Sequence, residues 1–178
     1  MIKMSTNYDL VLAIRNATDL LGIPHSKVDC QAAVEKALKL VGVNVNYRGS
    51  NHMWRDMVTD RWTIDAYKGA HDGLLTPGLI CFHLKNDGSE VARGYHDNMG
   101  AAVHVGIILD TDTVFHSGAN GTEIRPLAGT TFNRVAFCKH INYIDVESNS
   151  TLRARLDSII ATLDTLRNEL EVLRNDAE

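Results

Sequence analysis

Four short apolar runs limit the fold of this chain more than any other feature: "LICFHL" (79–84), "HVGIILD" (104–110), "DTVFHS" (112–117) and "RVAFCKHI" (134–141). Each is rich in β-branched and aromatic residues and bounded by turn residues, the pattern of a strand. Thr76-Pro77-Gly78 leads into the first. Asp110 to Asp112 leaves room only for a tight connection, so the second and third runs form a hairpin. Upstream the spacing is helical. Leu10, Val11, Ile14, Ala17, Leu20 and Leu21 recur on one face until Gly22-Ile23-Pro24 breaks the run. A second helix starts at Cys30, with Asp29 as N-cap, a stripe of Val34, Ala37, Leu38 and Val41, and Gly42 at its end. A third, shorter helix follows Ser50 and turns Met53, Trp54, Met57 and Val58 inward. Helices ahead of an antiparallel sheet read as an α+β fold.

Residues 1–146 form one domain on this reading, and residues 147–178 form a C-terminal oligomerising helix, with the polar stretch "VESNST" at the join. Leu152, Leu156, Ile159, Leu163, Leu166, Leu170 and Leu173 step alternately by four and three, a coiled-coil seam. In a parallel pairing, Glu169 at a g position faces Arg174 at an e position. The seam predicts a homo-oligomer through residues 150–175 and leaves its number open. The alternative is a helix folded back on its own domain.

Charge and cysteines exclude several classes. A net charge of −4 lacks the basic footprint of a nucleic-acid-binding surface. The opening "MIKMSTNYDLVLAIRN" has neither the apolar core of a signal peptide nor the length of a membrane span. Three scattered cysteines without a CxxC make neither a disulfide framework nor a four-cysteine zinc site. Cys81 and Cys138 lie within strand-like runs and read as buried apolar residues.

Cys30 differs. It stands just after a cap, at a helix N-terminus, where partial positive charge favours a thiolate. A nucleophilic thiol also needs a base close in space. Of eight histidines, His25, His52 and His71 fall in loops or helix flanks, and His83 and His140 read as satisfied or surface-facing. His104 opens one strand of the expected hairpin and His116 closes the other, so both lie at its open end. That geometry suits a base and its orienting partner, and also suits two histidines that merely frame a hairpin.

The motifs "DCQAAV", "TPGLICF", "HVGIIL" and "VFHSG", in that order, resemble the NlpC-type cell-wall cysteine peptidases of the papain-like superfamily. The resemblance covers roughly residues 5 to 145 and includes the twelve-residue interval from His104 to His116. It implies a papain-like domain with Cys30 as nucleophile, His104 as general base and His116 orienting His104. It also implies hydrolysis of amide bonds in peptidoglycan stem peptides, with no cofactor and no metal. "GSNHMWRD" and "GYHDNMGAAVHVG" resemble a subset found in phage and prophage lysins and tail-associated proteins. A protein of that kind is made in the bacterial cytoplasm and acts at the wall. Gln31-Ala32 replaces the family's Ser-Gly, and Leu79 replaces the aspartate after Pro-Gly. An insertion around 45–75 or 85–100 is expected to wall the cleft. Asp29, Gln31, Trp54, Tyr95, Asp97 and Ser117 are the candidate substrate contacts, with core packing on the third helix the better reading of Trp54.

Three other readings use the same residues. His96, Asp97, His104 and His116 could ligand a metal in a hydrolase, which leaves Cys30 unexplained. The domain could be a non-catalytic wall-binding or assembly module, or a CHAP-like amidase. The coiled-coil seam gives a direct prediction. Deleting the residues after Asn149 should yield a monomeric domain, and an unchanged mass in solution would refute an oligomerising helix.

Overall fold

Thr6 and Asp9 start the first helix, α1 (Asn7–Asn16). The Thr6 hydroxyl accepts from the Asp9 N–H at 3.1 Å and the Asp9 carboxylate accepts from the Thr6 N–H at 2.8 Å, a reciprocal capping box. In this computed structural model residues 4–69 and 75–144 are described, together with Ile160 and Arg167. The chain divides after Ile144. The expected coiled-coil seam, apart from Ile160 and Arg167, lies outside the described residues.

α1 buries Leu10 and Ile14 completely. It is shorter than the apolar run suggests. Ala17 leaves helical geometry, a single turn over Thr18–Leu20 follows, and Leu21 is exposed. α2 (Cys30–Leu40) starts where expected, because the Asp29 carboxylate accepts from the Ala32 N–H at 2.8 Å. Its Ala33, Val34, Ala37 and Leu38 are fully buried. α3 (Ser50–His52) runs on into one wide turn, Met53–Met57, which brings Met53, Trp54 and Met57 inside.

Six antiparallel strands make one sheet in the order β1-β6-β2-β3-β4-β5. They are β1 (Val58–Thr63), β2 (Ile80–Leu84), β3 (Ala102–Ile108), β4 (Thr113–Gly118), β5 (Gly121–Pro126) and β6 (Arg134–Cys138). β2, β3, β4 and β6 correspond to the four apolar runs. β1 and β5 escape the sequence pattern because they are the two edges, and "VTDRWT" and "GTEIRP" carry charges where an inner strand would alternate. The Asp110–Asp112 turn forms as expected, with Asp110 Oδ1 accepting from the N–H groups of Asp112 and Thr113.

Side chains alternate between two apolar layers. Ile80, Phe82, Val105, Ile107 and Phe115 join α1 and α2 in the larger core. Cys81, Ile108, Val114 and Val135 face the other way, against Leu79, Leu127 and Phe132. Cys81 and Cys138 are buried, as their runs suggested.

Asn7 ties three segments together although it is fully buried. Its amide donates to Pro77 O at 3.0 Å, and its side-chain oxygen accepts from the Ile144 N–H at 3.1 Å. Gly78 can lie against it only without a side chain. Its φ is +87°, and a Cβ there would sit 2.8 Å from Asn7 Cβ. Gly78→Ala should therefore destabilise the domain by about 1–3 kcal/mol. Denaturant unfolding measures this, and an unchanged midpoint would contradict the close approach.

Candidate active site

The register of β3 against β4 brings two histidines together. Gly106 pairs with His116, and His104 lies two residues away on the same face of β3. His104 Nε2 and His116 Nδ1 are 2.8 Å apart, a hydrogen bond. Phe132 covers the pair. Its ring stacks on His104 at 5.2 Å and 17° and meets His116 edge-on at 5.8 Å and 84°. Gly106 makes room for it, since a Cβ there would lie 3.1 Å from Phe132 Cζ and 2.9 Å from Phe115 O. Phe132 carries no sequence signal beyond being a lone aromatic in a connection.

The β3–β4 ladder ends at the Gly106–His116 pair, whereas β4 goes on pairing with β5 out to Gly118. The segment leading into α2 meets both strands where they part. The Ser117 hydroxyl donates to Val28 O at 2.5 Å, and its oxygen lies 3.1 Å from His25 Nδ1. The Val105 N–H, next to His104, is directed at the Cys30 thiol. Strand register and helix cap thus place Cys30 against the strand that carries His104.

The electrostatics differ from the sequence expectation at one point. Burial pushes the Cys30 thiol above its ordinary range, and Asp29 adds to that. The N–H groups of Val105, Gln31 and Cys30 itself pull the other way without prevailing. His104 is pushed down to about 4, first by burial and then by His116, His25 and His83. Burial also lowers His116, with Glu123 opposing the shift. Near neutral pH the resting groups are therefore an uncharged thiol and an uncharged imidazole, rather than a preformed thiolate.

The candidate substrate contacts separate into two groups. Trp54 and Ser117 are interior and cannot meet a ligand. Trp54 is 4% exposed, packs on Phe82 at 5.0 Å and donates to Met99 O at 2.6 Å. Ser117 is fully buried in its bond to Val28. Asp29, Gln31, Tyr95 and Asp97 keep some exposure. Gln31 Nε2 is held by Glu35 at 3.0 Å and by Tyr47 O at 2.5 Å.

Tyr95 and Asp97 belong to one assembly organised by Arg55, a residue the sequence reading passed over. Its guanidinium grips Asp97 through two bonds of 2.7 and 2.8 Å, lies 4.0 Å over the Tyr95 ring, and donates to Gly100 O at 3.0 Å. Nearby, Asn51 Oδ1 accepts from the Ala102 N–H and Ser50 Oγ donates to Ala102 O, both at 2.8 Å. The two stretches singled out in sequence, 49–56 and 94–106, are thus pinned to each other at the start of β3.

Among the described residues no three His, Cys, Asp or Glu side chains gather as a metal site. The metal alternative's Asp97 is committed to Arg55. His140 bonds the Tyr47 hydroxyl at 2.9 Å, His52 pairs with Asp56, and His71 lies outside the described residues. His25 had no expected role, yet it adjoins Ser117 and acts on both His104 and His116.

No protein-family model and no curated protein matches the sequence. Among solved structures, the chain is similar to the crystal structure of an NlpC/P60 family protein from Bacillus cereus ATCC 10987, with a TM-score of 0.50 and 20% identity. The match covers 77% of this chain and 41% of that one, so this chain spans about two fifths of the length of that protein. Its helices and antiparallel sheet resemble the fold of an NlpC/P60 family protein.

Proposed function

We propose that this chain is a cysteine peptidase or amidase that cleaves amide bonds in peptidoglycan stem peptides. Cys30 is its nucleophile, His104 its general base and His116 the group that orients His104. The observation that carries this reading is the 2.8 Å His104–His116 bond beside the strand residue whose N–H faces the Cys30 thiol. The fold likeness to an NlpC/P60 family protein supports it. The lysin-like stretches, pinned together at the mouth of β3, support delivery by a phage particle or during host lysis.

The chemistry follows from the uncharged resting pair. Cys30 Sγ attacks the amide carbonyl carbon while its proton passes to His104, whose Nε2 is held by His116 and whose Nδ1 is therefore the receiving atom. The carbonyl oxygen becomes an oxyanion at the N-terminus of α2, where the Cys30 N–H can donate to it. His104 returns the proton to the departing amine, and water then hydrolyses the thioester. Arg55, Tyr95 and Asp97 form a rigid polar wall for the peptide.

Cys30→Ala should reduce turnover by about a thousandfold or more while leaving the unfolding midpoint close to wild type. Mass spectrometry of muropeptides after digestion reads both the loss and the bond that is cut. Intact hydrolysis by that variant would end the cysteine mechanism.

The base must be unprotonated to act, and His104 is depressed from 6.5 to about 4. Activity should therefore persist at pH 5 and fall as pH drops toward 4. An acid limb of kcat/KM near the ordinary histidine value would contradict a buried, uncharged base.

A further inference from the structure

His116 has a second ring nitrogen, and its surroundings decide how the whole relay is protonated. Its Nε2 is buried and makes no standard hydrogen bond. Glu123 Oε1 lies 3.4 Å from it. Glu123 is directly opposite His116 in the β4–β5 ladder, where the tight turn from Gly118 to Gly121 fixes the register. Gly118 keeps the approach open. A Cβ there would lie 2.8 Å from His116 Cε1 and 3.4 Å from Glu123 Oε1.

A single proton lies between His104 Nε2 and His116 Nδ1, and it can sit on either ring. If it sits on His116, a neutral His116 turns a bare Nε2 lone pair toward the Glu123 carboxylate. A neutral His104 then carries its proton on Nδ1 and cannot serve as a base. If it sits on His104, His116 Nε2–H points at the carboxylate and His104 Nδ1 is free. A carboxylate accepts and does not donate, so it favours the second arrangement.

We infer that Glu123 is a positioning residue that selects the Nε2–H tautomer of His116 and thereby leaves His104 Nδ1 unprotonated as the base. This rests on the proposed roles of Cys30 and His104. Other charged or titratable groups around His116 are His104 from β3, Arg125 from β5 and His25 from the segment before α2. Arg125 Nη1 lies 3.9 Å from Glu123 Oε1 and helps to hold the carboxylate in place. Glu123 raises the His116 pKa against the effect of burial, as a proton acceptor at Nε2 must.

The tautomer can be read without any substrate. In the full-length wild-type protein labelled with imidazole ¹⁵N, two-bond ¹H–¹⁵N spectra should show His116 protonated at Nε2 and bare at Nδ1, with the signals assigned through a His116→Gln variant. A His116 protonated at Nδ1 would overturn the inference. Glu123→Ala should lower kcat by about tenfold at unchanged KM. It should also slow iodoacetamide labelling of Cys30 by a similar factor, read by peptide mass mapping. Glu123→Gln, whose amide can accept from Nε2 but can equally donate to it, should leave both rates between those of wild type and Glu123→Ala. Labelling and turnover unchanged in Glu123→Ala would also overturn it. If Glu123→Ala fails to fold, the wild-type tautomer still decides. Hydrolysis surviving in Cys30→Ala would instead remove the proposed function, a result distinct from either failure here.

Discussion

The buried bond from the Ser117 hydroxyl to Val28 O, at 2.5 Å, is the contact on which the site depends. It joins the last turn before α2 to β4, one residue beyond His116. Together with the Ile23–Thr122 bonds, it fixes where the N-terminus of α2 meets the sheet. Ser117 points into the helix-side core and His116 to the opposite face, because neighbours on a strand alternate. A single strand thus holds the helix with one residue and the His104 ring with the next. The end of the β3–β4 ladder at Gly106 and His116 makes this possible, since a continued ladder would occupy the backbone groups that Val105 turns toward Cys30.

A second clamp acts from the other side. Arg55 is almost wholly buried at its side chain, and its partner Asp97 is about one third exposed. A guanidinium removed from water needs its donors satisfied, and Asp97, Gly100 O and Asn51 O provide that. The segment 93–100 has little regular structure of its own, and these bonds give it a defined path into β3.

The helix cap at Asp29, the strand runs and the paired histidines were legible in the sequence because each follows a short-range rule. Asp29 precedes an amphipathic stripe, the runs alternate or are continuously apolar, and the histidines flank one tight turn. The edge strands β1 and β5 were not legible, since solvent tolerates Asp60, Arg61, Glu123 and Arg125 there and periodicity vanishes. Phe132, Arg55 and Glu123 were missed for a related reason. Each acts through a partner distant along the chain or across a strand pair whose register a sequence does not print. Trp54 and Ser117 stand beside the motifs in sequence, yet both turn inward, Trp54 onto Phe82 and Ser117 onto Val28.

Competing magnitudes explain why burial, rather than the helix N-terminus, sets the charge state of the site. A helix terminus favours a nearby charge by about 0.3–1 kcal/mol at an exposed position. Moving an imidazole from 6.5 to about 4 corresponds to roughly 3 kcal/mol against its charged form. Phe132 stacked on His104 is the visible source of part of that desolvation. A preformed thiolate–imidazolium pair would have to recover this cost on both partners, and Asp29 opposes it on the sulfur side. In the proposed reaction, proton transfer is then best made while the new bond forms, when negative charge is moving from sulfur to the carbonyl oxygen. On that proposal the α2 N-terminus would face the developing oxyanion, and His116, backed by Glu123, the developing imidazolium. The same burial that suppresses charge in the resting site strengthens both interactions once charge appears.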